Sequence, residues 1–119
     1  MVISASEGEG FRYEVAARTD GFLVQTRDSD TGEVEEGETR LFRTAAVAFA
    51  YAELLVTYNR FAAAQVTGGA ETDSLKAELK VQQALYTELS RRLRDEGLAA
   101  QFMRAWEAAD SARERRRLH

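Results

Sequence analysis

The sequence predicts an α+β domain, a small antiparallel sheet followed by helices, and three observations carry that expectation. Polar and apolar residues alternate from Phe11 to Arg18, and an Asp20-Gly21 turn then leads into a returning strand. Apolar residues then recur at spacings of three and four from Val47 to Phe61, and again from Leu75 to Leu93, which is helical periodicity. The chain has 119 residues, 45% of them apolar, enough for one domain to bury its own core. Its 30% charged residues and formal net charge of −4 place it with soluble globular proteins. Proline and cysteine are both absent. Breaks must therefore come from glycine and polar clusters, and disulfides, thiolate ligands and a cysteine nucleophile are excluded.

Residues 1–10 carry neither the basic start nor the apolar run of a secretory signal and are expected to form a flexible N-terminal tail. The single domain should then span residues 11–111, with 112–119 a basic C-terminal tail. Phe11, Tyr13, Val15 and Ala17 fall on one face of a half-buried strand. Asp20-Gly21 supplies turn chemistry, and residues 22–27 return as its hairpin partner. A second turn at residues 28–32 leads into a third strand, residues 33–42, interrupted at Gly37, so the sheet is expected to be a three-stranded meander. Thr44 is the expected N-cap of a long buried helix that closes at Gly68-Gly69. Asp73 is expected to cap a second helix reaching about Asp95.

Both helices have an apolar seam, which predicts an antiparallel hairpin with coiled-coil-like packing, Tyr51 opposite Tyr86 and Tyr58 opposite Leu79. A third helix, from Leu98 to about Ser111, carries Leu98, Phe102, Ala105, Trp106 and Ala109 on one face. The first helix has a second apolar side at Phe49 and Val56, so elements on more than one side should cover it. Its apolar run is mostly alanine and is interrupted by Glu53 and Arg60, short of the ~20 apolar residues of a membrane span.

Chemistry finds little purchase. The one histidine is His119, so a serine triad lacks its base and histidine-based zinc sites lack ligands. Asp28 and Asp30 alternate as in a calcium loop, but the positions that need glycine and a bidentate glutamate hold Glu33 and Thr39; residues 28–38 read as a solvated acidic turn. Glu53 and Arg60, two turns apart beside Phe49 and Val56, form a candidate polar site, and Tyr51, Tyr58, Gln82 and Tyr86 read as seam packing. No glycine-rich loop has phosphate-binding context, and no cofactor is expected.

Charge is uneven: residues 1–40 hold ten acids and four bases, whereas residues 90–119 hold eight arginines and five acids. Arg113, Arg115, Arg116 and Arg117 are the candidate contacts to nucleic acid, but they lack interleaved aromatics and the chain is acidic overall, so favourable charge at a helix C-terminus explains them better. The expected function is that of a small, non-catalytic, cytoplasmic interaction or regulatory protein, of bacterial type in size and composition. It should act as a homodimer through Phe49, Val56, Phe102 and Trp106. Another protein is the next expected partner, and a nucleic-acid-associated regulator using the C-terminal arginines is the alternative. An enzyme built on Glu53, Arg60 and the tyrosines ranks third.

Overall fold

A computed structural model describes residues 1–95, so the expected third helix, Phe102, Trp106 and the arginines from Arg113 to Arg117 lie outside the described residues. The fold is α+β. A four-stranded antiparallel sheet in the order β1-β2-β3-β4 is built from β1 (Val2–Gly8), β2 (Phe11–Arg18), β3 (Gly21–Asp28) and β4 (Arg40–Phe42). Two helices follow, α1 (Ala45–Thr67) and α2 (Thr72–Arg92).

The sheet corrects the expected three strands to four. Residues expected to form a tail supply β1, which pairs with β2 from Ser4 opposite Val15 to Gly8 opposite Phe11. Its side chains are mostly exposed, so no apolar alternation marks it; backbone pairing and a two-residue turn form it. In that turn both Glu9 (φ 54°) and Gly10 (φ 81°) adopt the positive φ values that match the twist of a tight hairpin. The expected hairpin of β2 and β3 is present, with Arg18 opposite Gly21. Gly21 has φ 143°, and a Cβ there would sit 2.2 Å from the Phe42 carbonyl oxygen, so glycine is what lets β4 approach β3. The acidic stretch after β3 is not a continuous strand. Val34 bridges to Arg27, residues Glu36–Glu38 make one 3-10 turn, and only Arg40–Phe42 pair with β3. Four glutamates within six residues supply too little β propensity to extend it.

Helix α1 packs its Val47, Tyr51, Leu54, Leu55 and Phe61 face against Tyr13, Val15, Val24 and Phe42 of the sheet and against Leu75, Leu79 and Tyr86 of α2. Each fully buried aliphatic side chain among these contributes about 1.5–3 kcal/mol. The rings of Phe42 and Tyr51 lie 5.0 Å apart, those of Tyr51 and Tyr86 5.8 Å, and Tyr58 and Leu79 join the same cluster. Gly68 closes α1 in the left-handed conformation (φ 67°), donating to the Ala64 carbonyl. Asp73 does not cap α2. It lies in the first helical turn, where its charge still favours the dipole, while the Thr72 hydroxyl donates to the Gly69 carbonyl at 2.8 Å.

The far end of α2 returns to the start of α1. Thr44 occupies the N-cap position without capping through its own side chain. Asp95 does so instead: its Oδ2 accepts from the backbone N–H groups of Arg43 and Thr44, both at 2.8 Å, and from the Thr44 hydroxyl at 3.1 Å. Asp95 is fully buried, and it places a carboxylate where the helix leaves N–H groups unpaired and its dipole is positive. Its own backbone is fixed by Ser90, whose hydroxyl donates to the Asp95 carbonyl at 2.5 Å.

Candidate functional site

On α1, Phe49, Glu53, Val56 and Arg60 form one stripe, because steps of three and four residues return to the same side of a helix. The core-facing stripe of Val47, Tyr51 and Leu54 points elsewhere, so this second stripe is left at the surface. It lines a groove of about 510 Å³ between α1, the β1–β2 edge of the sheet and α2, bounded also by Ser4, Ser6, Tyr13, Glu78 and Gln82. All four α1 residues singled out from the sequence therefore meet in one place. Cover on both sides of α1 is not seen among the described residues: Phe49 keeps 38% of its surface exposed, and Val56 is half-buried against the core. On α2, Val81 and Leu85 are 69% and 52% exposed.

The polar groups of the groove are dispersed. Glu53 and Arg60 are exposed and make no ion pair with one another among the described residues. Gln82 has its Oε1 buried with no hydrogen-bond partner among the described residues. No group of three or more His, Cys, Asp or Glu side chains that could hold a metal ion occurs there either. Arg60 also borders a neighbouring hollow of about 450 Å³, with Glu9, Glu71 and Leu75.

A buried polar cluster was not anticipated from the sequence. Glu38 is turned inward by the 3-10 turn, toward Thr26 of β3, Asn59 of α1 and the Tyr13 hydroxyl. Burial raises the Glu38 pKa, partly opposed by Thr26 and Asn59, which lean toward its carboxylate without closing full hydrogen bonds. Tyr13 is pushed up to about 12, chiefly by burial, with Asn59 pulling the other way. Burial likewise raises Tyr51 and Tyr86, and the Asp95 charge adds to the effect on Tyr86. Phenols held neutral in this way are packing groups with a polar tip, and Tyr51 donates to the Glu38 carbonyl at 3.0 Å. The local signal that could have exposed Glu38 is weak: one glutamate among four, set apart only by the glycine before it.

The expected acidic turn takes a definite form. Asp28 Oδ1 accepts from the N–H groups of Asp30 and Thr31 at 2.8 and 3.1 Å, and these bonds hold its pKa below the usual carboxylate value. On the outer face of the sheet Glu14 lies between Arg27, at 2.6 Å, and Arg12, at 3.4 Å, which explains a carboxylate that is nearly buried there. No helix among the described residues is long and apolar enough to cross a membrane.

No family model, curated protein or solved structure matches this chain.

Proposed function

We propose that this is a non-catalytic interaction protein that acts through the groove beside α1 and whose partner is a second copy of itself. The observation that carries this is that Phe49 and Val56, with Glu53 and Arg60, line one groove at the surface, where Phe49 keeps 38% of its surface exposed. The core-facing stripe is used by the sheet and α2, and of the second stripe Val56 is half-buried against the core while Phe49, Glu53 and Arg60 stay exposed. Apolar surface gathered into one patch and rimmed by charge is characteristic of partner surfaces. Concave sites between helices take an amphipathic helix by its apolar anchors. The expected C-terminal helix would supply such anchors in Phe102 and Trp106, and a closed homodimer is the commonest symmetric outcome.

The test is the mass of the full chain by light scattering after size exclusion, at micromolar concentration. A dimer is expected. In the nucleic-acid alternative, RNA or DNA affinity falls steeply with salt and disappears when Arg113, Arg115, Arg116 and Arg117 are replaced by glutamine. The interaction reading expects no such affinity, and a monomeric mass at every concentration would end the homodimer.

A further inference from the structure

We infer that two copies of this chain pair through the open edge of β1, antiparallel about a two-fold axis at Ala5, which joins their sheets into one; this rests on the homodimer reading and specifies where the copies meet. The alternation of backbone bonds identifies the open groups. Ala17 of β2 donates its N–H to the Met1 carbonyl at 2.8 Å, so the odd-numbered residues of β2 bond toward β1. Their partners in β1 are Ser4 opposite Val15, Ser6 opposite Tyr13 and Gly8 opposite Phe11, the last being the pair that closes the two-residue turn. Ala5 and Glu7 lie between these bonded pairs, so their own N–H and C=O groups point away from β2. Among the described residues no strand lies on that side, because β1 is the first in the sheet order.

Exposed edges usually carry devices that stop such pairing. The opposite edge has them: β4 is three residues long, starts at Arg40 and is followed by Arg43. By contrast, β1 has seven residues, neither lysine nor proline, and a single charge, Glu7, which is paired with Arg12 at 3.5 Å. Its one irregularity, a register shift between Val2 and Ser4, leaves Ser4 to Gly8 regular. The strand also buries almost nothing of its own, with Val2 and Ile3 48% and 43% exposed, so pairing supplies burial that the described fold does not give it.

This edge is complementary to itself. With Ala5 on the axis the two copies exchange a pair of hydrogen bonds there, and its small side chain keeps the axis free of bulk. Glu7 comes opposite the partner's Ile3, so no like charges face each other across the two strands. Ser4 and Ser6 come opposite the partner's Ser6 and the partner's Ser4, and in each copy these serines line the groove beside α1. The axis stands perpendicular to the sheet, so both helical layers lie on the same face and the two grooves share one floor, its central strands about 4.8 Å apart. The stripes of Phe49, Glu53, Val56 and Arg60 on the two α1 helices then face each other across it. An isologous contact of this kind closes at two copies.

Amide exchange followed by NMR on the full chain, over a concentration series whose masses are read by light scattering, is the test. Two variants are compared with the parent: Ala5→Lys sets two ammonium groups opposite each other at the axis, and Ala5→Pro removes an N–H that the β1–β2 pairing does not use. Far-ultraviolet circular dichroism checks the fold of each. The expected result is a dimer in which the Ala5 and Glu7 amides are protected, with protection lost on dilution to monomer and the dimerisation midpoint raised about tenfold or more in both variants. A dimer whose Ala5 and Glu7 amides stay unprotected, or which either folded variant forms at the parental concentration, keeps the homodimer and overturns the edge pairing. A monomer at every concentration overturns both, whether or not those amides are protected within it.

Discussion

Glu38 owes its behaviour to a turn three residues long. The 3-10 turn Glu36–Glu38 points one carboxylate of an acidic run into the space between Thr26, Asn59 and Tyr13, while its neighbours stay in water. Its folded-state pKa is raised, so the folded protein holds that proton more tightly than the unfolded chain does. The stabilising contribution is therefore fully present below the unfolded-state carboxyl pKa and is lost as pH rises through the raised folded value. Glu38→Gln is expected to be more stable than the parent at neutral pH and to lose that advantage near pH ~4, where both carry a neutral side chain. Urea denaturation at the two pH values measures it. Gly21 is a residue-scale constraint of another kind. Gly21→Ala would place a methyl against the Phe42 carbonyl in a φ region that L-residues avoid, and a loss of about 1–3 kcal/mol is expected from the same titration.

Elements in this fold are joined by devices of very different reach, and that decides what could be read in advance. The β2–β3 hairpin, the extent of α1 and the Gly68 cap were legible because alternation, helical spacing and a glycine stop all act within a few residues. Strand β1 was not. It buries almost nothing, and its turn uses Glu9 at a positive φ where asparagine or glycine would have announced a hairpin. Relaxing that strain gives a prediction: Glu9→Asn or Glu9→Gly should gain about 0.4–1 kcal/mol, seen as a higher thermal midpoint. The cap of α1 was hidden for a different reason, since Asp95 lies 51 positions beyond Thr44 and nothing local marks it as that helix's anion. Asp95→Ala should cost about 2–3 kcal/mol, because two backbone N–H groups and a hydroxyl lose their acceptor at once. Asp95→Asn, which keeps one oxygen acceptor, should lose less. Equal losses in the two variants would show that charge, and not hydrogen bonding, carries the cap.

At the scale of the whole molecule, one helix serves two faces. Helix α1 spends one stripe on the sheet and α2 and presents the other, Phe49, Glu53, Val56 and Arg60, to a groove. Helical geometry alone placed those four residues together, so the location of the candidate site was legible; its walls, Ser4 and Ser6 of β1 and Glu78 and Gln82 of α2, depended on a strand and a packing that local pattern does not encode. Cysteine is absent from the chain, so introduced pairs can report on the occupant without interference. The most direct measurement is disulfide trapping of Phe49→Cys combined with Phe102→Cys or with Trp106→Cys, against Phe49→Cys combined with Gln25→Cys as a control on the sheet. The homodimer reading predicts that at least one of the first two pairs oxidises faster than the control and gives a covalent dimer. Oxidation of both pairs no faster than the control would contradict it.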